Sequence, residues 1–345
     1  MLSNSNSTKI LFMMILISSL LITISSNSWV GAWMGLEINL LSFIPLMSDN
    51  NDIFTTEAAL KYFLVQALAS SSLLFIILSK SILESMFSII NSSMTSIIIA
   101  VPLFMKMGAA PLHWWFPSVM EGLSWMNCFI LMTVQSMPPL ILISYSIHFN
   151  KFTVSIIILS ILIGTIGGYN QISLRKILAY SSINHLGWMI TAMIMSENSW
   201  FLYFMIYTLL TFSVIYIVMS IQMSFINQTY STSNENKVIK LMMYSSLLSL
   251  GGLPPFLGFF PKWVVIQQMI INSSPMIITI MVILSLTTLY YYLRIAYSSM
   301  IILNSENNWT PIMIEVNEFN IPAFLLTLFS TTGLIISSFF LNIVF

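Results

Sequence analysis

The chain has 345 residues, of which 57% are hydrophobic and 6% charged, and its mean hydropathy is +0.92. A soluble domain carries about 25% charged residues, so this composition indicates an integral membrane protein. The 11 basic residues balance the 11 acidic ones, which excludes the basic surface that nucleic-acid binding needs. The single cysteine, Cys128, excludes an internal disulfide framework and a cysteine-ligated metal cluster.

Apolar stretches recur along the whole chain. A membrane-spanning helix needs about 20 mostly apolar residues, and on this basis we expect an all-α polytopic membrane protein with about eleven transmembrane helices. The predicted spans cover residues 8–26, 29–46, 57–79, 94–119, 124–147, 152–169, 175–195, 200–225, 238–272, 275–303 and 321–344. No soluble domain separates them, so residues 1–345 are predicted to form one membrane domain.

Polar residues concentrate in a few connections between these spans. Residues 227–237 form a polar segment, and residues 304–320 form an acidic one that contains Glu306, Glu315 and Glu318. Orientation in a membrane follows from an excess of Lys and Arg in alternate loops. The few cations of this chain give no clear excess, so the sequence leaves the orientation open.

Helix breakers lie beside a lysine in two of the predicted spans. Lys106 precedes Gly108 and Pro111 in the fourth span, and Lys262 follows the segment Gly251–Pro255 in the ninth. A proline has no N–H and clashes with the carbonyl one turn back. Both spans are therefore predicted to be discontinuous helices.

The two broken spans are an odd number of spans apart, so they enter the membrane from opposite sides. That arrangement predicts antiporter-like inverted repeats with broken helices, over residues 94–225 and 238–345, preceded by extra N-terminal helices in residues 8–79. The alternative is that the breaks reflect only the high frequency of Gly and Pro in membrane helices.

A carboxylate in the middle of the second span, Glu37, is the predicted partner of Lys106. A carboxylate at such a depth is costly unless it is paired or protonated, which favours a proton-accepting group over a structural ion pair or a helix-end acid. Burial favours a neutral lysine and a nearby carboxylate favours a charged one. Movement of Glu37 would therefore let Lys106 release its proton. The alternative for Lys106 is an amine that reaches the membrane surface.

Three further residues, Lys262, His185 and Lys61, are candidates for the same chemistry. Lys262 lies beside a helix break, as Lys106 does, and is a candidate for the same reason. The alternative is a position at the membrane surface, because Trp263 beside it fits an interfacial aromatic belt. His185 is suited to proton transfer near neutral pH, and is equally suited to plain hydrogen bonding with its neighbours. Lys61 is a secondary relay group or a helix-end charge, and Arg294 is an anchor or an ion-pair partner.

Motifs for other chemistry are missing from the sequence. It contains no nucleotide-binding glycine loop, no nucleophile elbow and no haem or flavin signature. No second ligand stands at metal spacing from any histidine, so we expect no metal site. The chain is predicted to carry out no redox chemistry of its own.

Five short segments occur in a fixed order along the chain. They are residues 35–39, 57–63, 106–113, 181–187 and 251–256. No single segment is specific, but the ordered set resembles the antiporter-like membrane subunits of respiratory complex I. The short form, with Glu37 so near the start, resembles the animal mitochondrial type, and that of insects in particular.

The resemblance implies a proton-translocating role for a multi-pass protein of the inner mitochondrial membrane. NADH oxidation and quinone reduction then occur elsewhere in the complex, and other subunits bind FMN, the iron–sulfur clusters and ubiquinone, with no cofactor in this chain. The implied partners are other membrane-arm subunits, including a neighbouring antiporter-like subunit and small membrane subunits, together with lipids.

The resemblance also implies roles for individual residues. Glu37 and Lys106 correspond to the glutamate–lysine pair, Lys262 to the lysine of the second half near the exit side, and His185 to the central polar axis between them. The family has a lysine after the glutamine of the fifth helix, where this chain has Ser136. A serine can hold a water but cannot store a proton as charge.

Two alternative functions stay open at this point. One is a cation/proton antiporter subunit of the related multi-subunit type. The other is a scaffold of helices that conducts nothing, for which Ser136 is the strongest argument.

Overall fold

A computed structural model describes residues 2–49, 52–86, 92–228, 237–272, 274–297 and 321–344. In this part of the chain the structure is helical almost throughout, with an isolated antiparallel bridge between Ser173 and Phe225. The helices are α1 (Leu2–Ser25), α2 (Trp29–Met47), α3 (Ile53–Met86), α4 (Ser92–Met107), α5 (Trp115–Gly122), α6 (Trp125–Met132), α7 (Met137–Ser144), α8 (Lys151–Gly168), α9 (Leu174–Met195), α10 (Glu197–Ile221), α11 (Lys237–Gly251), α12 (Phe259–Ile271), α13 (Pro275–Tyr297) and α14 (Ile321–Val344).

Seven helical stretches in the described residues are long and apolar enough to cross a membrane, which confirms the all-α polytopic class. They are Ser7–Ser25, Trp29–Met47, Ile53–Ile82, Trp125–Ser144, Lys151–Gly168, Glu197–Ile221 and Pro275–Tyr297. The count of about eleven spans stays a prediction. The acidic segment 304–320 and residues 229–236 of the other polar segment lie outside the described residues.

The chain divides into two compact units, residues 1–160 and 161–345. In the first unit α1 packs on α2, α2 on α3, and α3 on both α4 and α5, while α7 contacts α1 and α4. In the second unit α10 is the common neighbour, because it contacts α9, α11, α12 and α14. The predicted repeat boundaries stay a prediction.

Helix α9 is buried along most of its length although it carries several polar side chains. It is long enough to span a membrane, but it is not among the seven most apolar stretches. A helix that is surrounded by protein does not need a lipid-compatible face. The polar residues Ser181, Ser182, Asn184 and His185 are therefore held inside the second unit.

Both predicted helix breaks are confirmed. Helix α4 ends at Met107 and Gly108 follows with φ of 74°, while α11 ends at Gly251 and Gly252 follows with φ of 82°. Glycine adopts this left-handed conformation at little cost, and it commonly terminates helices. The first break therefore begins at Gly108, before Pro111 is reached.

The fifth predicted span, residues 124–147, also contains an interruption that we did not expect. Helices α6 and α7 are separated at residues 133–136, where the Gln135 N–H donates to the Ile130 carbonyl five residues back at 3.0 Å. Pro138 and Pro139 follow directly and bring no N–H of their own. A widened turn of this kind often marks a functional position in a helix.

Close packing of α1 against α2 leads to a prediction for Gly35. A Cβ atom at this position would lie 2.5 Å from the Thr23 Cγ2 and 3.0 Å from the Thr23 backbone nitrogen. Gly35→Ala should therefore force the two helices apart and destabilise the protein by about 1–3 kcal/mol. The measurement is the melting temperature of the detergent-purified protein, followed by tryptophan fluorescence.

Gly31→Ala is the matched control in the same helix. Its Cβ atom would meet only side-chain atoms of Ser26 and Ser28, each at 3.2 Å. Both substitutions give the same gain in helix propensity. Equal melting temperatures for the two variants would contradict close packing at Gly35.

Candidate functional site

Lys106 lies at the end of α4 and is 7% exposed. It lines a small cavity of about 20 Å³, counted as the space that the centre of a water molecule can occupy. A single water needs roughly 10–15 Å³ by this measure, so the cavity has room for one water beside the lysine. The cavity is lined by Leu36, Asn39, Leu40, Tyr62, Gln66, Lys106, Met107, Trp115, Phe116, Leu131, Gln135, Ser136 and Pro139.

Neutral side chains satisfy the carbonyls that the first break leaves without helical partners. The Gln66 Nε2 donates to the Lys106 carbonyl at 3.1 Å, and the Trp115 Nε1 donates to the Met105 carbonyl at 3.1 Å. The Gly108 N–H also donates to the Met105 carbonyl, at 3.2 Å. These carbonyls are thus hydrogen-bonded without the lysine amine.

A row of three polar side chains lies along the same cavity. The Tyr62 hydroxyl donates to the Gln135 Oε1 at 3.1 Å, and the Gln135 Nε2 donates to the Asn39 Oδ1 at 3.0 Å. Sequence reasoning missed Asn39, Tyr62 and Gln66. The available signal was the spacing of Tyr62 and Gln66, which are four residues apart and share one face of α3.

Glu37 is half-buried and does not form a direct ion pair with Lys106, although the two charges interact through space. Its Oε2 atom is buried and has no hydrogen-bond partner. An unpartnered buried oxygen is costly, so this position favours a hydrogen bond from a water. The structure therefore brings the predicted pair near each other but separates their charged atoms.

Ser136 and Lys61 have different surroundings. Ser136 lines the Lys106 cavity, and its Oγ donates at 2.9 Å to the carbonyl of Met132, at the end of α6, or of Thr133, the next residue. Lys61 lies outside the cavity, where it pairs with Glu57 at 2.6 Å and its side chain is 46% exposed. The role of Lys61 as a secondary relay group stays a prediction.

Lys262 occupies the corresponding position beside the second break. It is 5% exposed on α12, and its Nζ donates to the Gly251 carbonyl at 3.0 Å. The same Nζ lies 5.9 Å from the centre of the Trp188 ring, within the range of a cation–π contact. A Cβ atom at Gly252 would come within 3.1 Å of this Nζ, and the φ of 82° at this position favours glycine.

His185 belongs to the same site in the second unit. Its Nδ1 lies 2.9 Å from the Tyr203 hydroxyl, its ring is 5.1 Å from the Tyr207 ring, and the charge of Lys262 acts on it through space. Sequence reasoning missed Trp188, Tyr203 and Tyr207. Tyr203 and Tyr207 are four residues apart on α10, a spacing that places both on one helix face.

Two sites therefore carry the polar groups that were predicted from the sequence. Glu37, Lys106 and Ser136 lie in the first unit, while His185 and Lys262 lie together in the second. Throughout the described ranges, no group of three or more His, Cys, Asp or Glu side chains is placed to hold a metal ion.

The fold and these sites define a polytopic helical membrane protein with discontinuous helices and buried lysines at the breaks. The chain belongs to the family described as NADH:quinone oxidoreductase/Mrp antiporter, TM, whose profile matches residues 26–288.

Two curated relatives are similar over most of their length. A protein of Anopheles gambiae named NADH-ubiquinone oxidoreductase chain 2 is 53% identical over 300 residues, which is 87% of this chain and 88% of that protein. A protein of the same name from Locusta migratoria is 46% identical over 337 residues, or 98% of both chains.

Two solved structures share the fold. A chain of respiratory complex I from Thermus thermophilus matches with a TM-score of 0.78 at 20% identity, covering 95% of this chain and 76% of that one. A chain of the Mrp complex from Dietzia matches with a TM-score of 0.73 at 16% identity, covering 87% and 61%.

The contact between Gly252 and Lys262 leads to a second prediction. Gly252→Ala should place a Cβ atom against the lysine side chain and put alanine into a left-handed conformation, which costs about 1–3 kcal/mol. The melting temperature of the purified protein should therefore fall. Gly251→Ala is the matched control, because its nearest contact would be an ordinary 3.4 Å to Tyr292. A control that melts as low as Gly252→Ala would argue against this special role.

Proposed function

We propose that this chain is a membrane-arm subunit of respiratory complex I and that it translocates protons across the inner mitochondrial membrane. NADH oxidation and ubiquinone reduction take place in other subunits of that complex. Membership of the family, together with the two relatives named NADH-ubiquinone oxidoreductase chain 2, supports the assignment to this complex.

The observation that carries the proposal is a buried lysine beside a helix break in each unit. An ionisable group inside a membrane protein is costly and marks a proton or ion path by default. At Lys106 a water-sized cavity and the nearby charge of Glu37 supply a proton partner. At Lys262 the nearby His185 supplies a second group that can exchange a proton.

The proposed mechanism alternates the charge on the lysines. When Glu37 holds its negative charge, it stabilises a protonated Lys106 through space. Protonation of Glu37 removes that stabilisation, and burial then favours release of the lysine proton to the water in the cavity. In the second unit, loss of the Lys262 proton removes a positive charge near His185 and makes protonation of the imidazole easier.

The proposal extends to cofactors and partners. FMN, iron–sulfur clusters and ubiquinone are assigned to other subunits. The partners are a neighbouring antiporter-like subunit, small membrane subunits and lipids.

The second candidate is a subunit of a cation/proton antiporter, which the similarity of fold to a chain of the Mrp complex favours. Purification separates the two functions. A complex I subunit should co-purify with flavin and iron–sulfur proteins, whereas an antiporter subunit should not. The third candidate, a scaffold that conducts nothing, rests on Ser136, which cannot carry charge.

Substitution of the first lysine gives the third prediction. Lys106→Met should reduce the number of protons pumped per NADH oxidised severalfold in the assembled complex, because methionine has a similar length but cannot bind a proton. The measurement is the acidification of vesicle lumens at a matched rate of NADH oxidation. Lys9→Met is the control, since Lys9 is an exposed lysine that pairs with Asp49 at 3.1 Å. Unchanged pumping in Lys106→Met would refute the relay and favour the scaffold.

The polar row beside Lys106 gives the fourth prediction. Gln135→Leu should leave the Tyr62 hydroxyl and the Asn39 carbonyl oxygen without their partner, which costs about 1–3 kcal/mol for each buried group. Pumping should fall even where the complex assembles normally. Asn127→Leu is the control, because it also removes one hydrogen bond in the first unit, to the Leu46 carbonyl, but does not touch the cavity. Equal pumping by the Gln135→Leu and Asn127→Leu variants would show that the row has no role in pumping.

A further inference from the structure

A second cavity, separate from both lysine sites, lies where four helices of the second unit end or begin. It has a volume of about 160 Å³ and is formed by the end of α8, the start of α9, the end of α13 and the residues that follow α10. Its polar lining consists of Tyr169, Asn170, Gln171, Asn227, Tyr291 and Arg294.

The walls of this cavity are held in place by backbone hydrogen bonds. The Leu174 N–H donates to the Ser224 carbonyl, and the Ile226 N–H donates to the Ile172 carbonyl, both at 3.0 Å. The Gln228 side chain accepts hydrogen bonds from the Ser224 and Phe225 N–H groups at 2.6 and 3.2 Å. The loop after α10 is thus fastened to the loop before α9, so the cavity is formed in advance of any ligand.

A buried tyrosine forms part of the cavity wall. Tyr291 is 3% exposed, and its ring centre lies 4.6 Å from that of Tyr292. Its ring lies against Gly168, where a Cβ atom would come within 3.1 Å. The Tyr291 ring is thus fixed in the wall of the cavity that Arg294 also lines.

The charge at this end of the second unit is positive. Arg294 lines the cavity, and Arg175 and Lys176 begin the adjacent helix α9. Among the described residues of 161–345, the acidic side chain is Glu197 at the first position of α10. Since α10 has 25 residues, Glu197 is about 37 Å from the cavity end of that helix. Within the described residues of this unit, the charge near the cavity therefore attracts an anionic ligand.

An apolar stripe on α13 leads away from the cavity. Its five side chains recur at spacings of three and four residues, which puts them on one helix face. They are between 40% and 63% exposed, so the described part of the unit leaves this face uncovered. The stripe consists of Ile283, Leu286, Tyr290, Leu293 and Tyr297.

We propose that this cavity binds the phosphate of an anionic phospholipid. Arg294 provides the counter-charge, the amide side chains of the lining can donate hydrogen bonds, and one acyl chain lies along the apolar stripe of α13. Basic pockets between the ends of transmembrane helices suit lipid headgroups. Tyrosines at this level, such as the stacked pair Tyr169 and Tyr290 at 5.7 Å, are typical of the membrane–water interface.

Photo-crosslinking in the assembled complex tests the proposal. The complex is delipidated and returned to vesicles that carry a photoreactive phosphatidylglycerol or, in a second arm, a photoreactive phosphatidylcholine. Labelled peptides are then mapped by mass spectrometry. We expect phosphatidylglycerol to label residues 283–297 in preference to phosphatidylcholine, and inorganic phosphate not to displace it.

Three variants separate charge from structure. Arg294→Gln should reduce phosphatidylglycerol labelling about five-fold, since one basic residue near the surface contributes about 1 kcal/mol. Arg294→Lys should retain most of it, because it keeps the positive charge. Lys151→Gln, which removes an exposed cation at the other end of α8, should leave labelling unchanged.

Several results would overturn the lipid site. Equal labelling by the two lipids, or no change in Arg294→Gln, would show that charge does not select the ligand. Displacement by inorganic phosphate would point to a soluble anion instead. Absence of labelling from residues 283–297 would mean that protein covers the cavity, either a neighbouring subunit or another segment of this chain.

Discussion

The structure depends on how backbone carbonyls are satisfied where a helix breaks inside an apolar environment. No water is available in the hydrocarbon region, so irregular backbone persists only where protein groups pair with it. At the second break the Lys262 amine does this by donating to the Gly251 carbonyl. The glycine that ends the helix also leaves the space that the lysine fills. The end of α11, Gly252 and the Lys262 amine therefore depend on one another. The break exposes the Gly251 carbonyl, the amine pairs with it, and Gly252 leaves room for the amine.

The first break meets the same requirement with neutral groups. Gln66 and Trp115 donate to the carbonyls at the end of α4, so Lys106 is not needed for this purpose and instead lines a cavity with room for a water. The two lysines thus lie at similar positions beside a helix break but make different contacts. Lys262 is fixed to backbone, whereas Lys106 has a solvent-sized space beside it. This difference makes Lys106 the better suited of the two to exchange its proton with a passing water.

Local signals in the sequence were sufficient to predict the helix breaks but not the side chains that pack around them. Glycine, proline and a lone lysine in an apolar run are visible without any knowledge of packing, and both breaks are confirmed. The contact between Tyr62 and Gln135 joins residues 73 positions apart, and that between Gln135 and Asn39 joins residues 96 positions apart. Such pairs depend on how helices pack, which periodicity does not reveal. The widened turn at Gln135 had a readable cause in the two prolines that follow it.

The row formed by Tyr62, Gln135 and Asn39 has a direction, and this direction limits what it can do. Every bond in it points from the tyrosine towards the asparagine. A carboxamide holds its protons on nitrogen and accepts on oxygen, so it cannot hand a proton along as a hydroxyl or a water can. Gln135 therefore does not relay protons through the wall of the cavity. The row shapes the wall of the cavity, and the space beside Lys106, rather than the row, is what can admit a water.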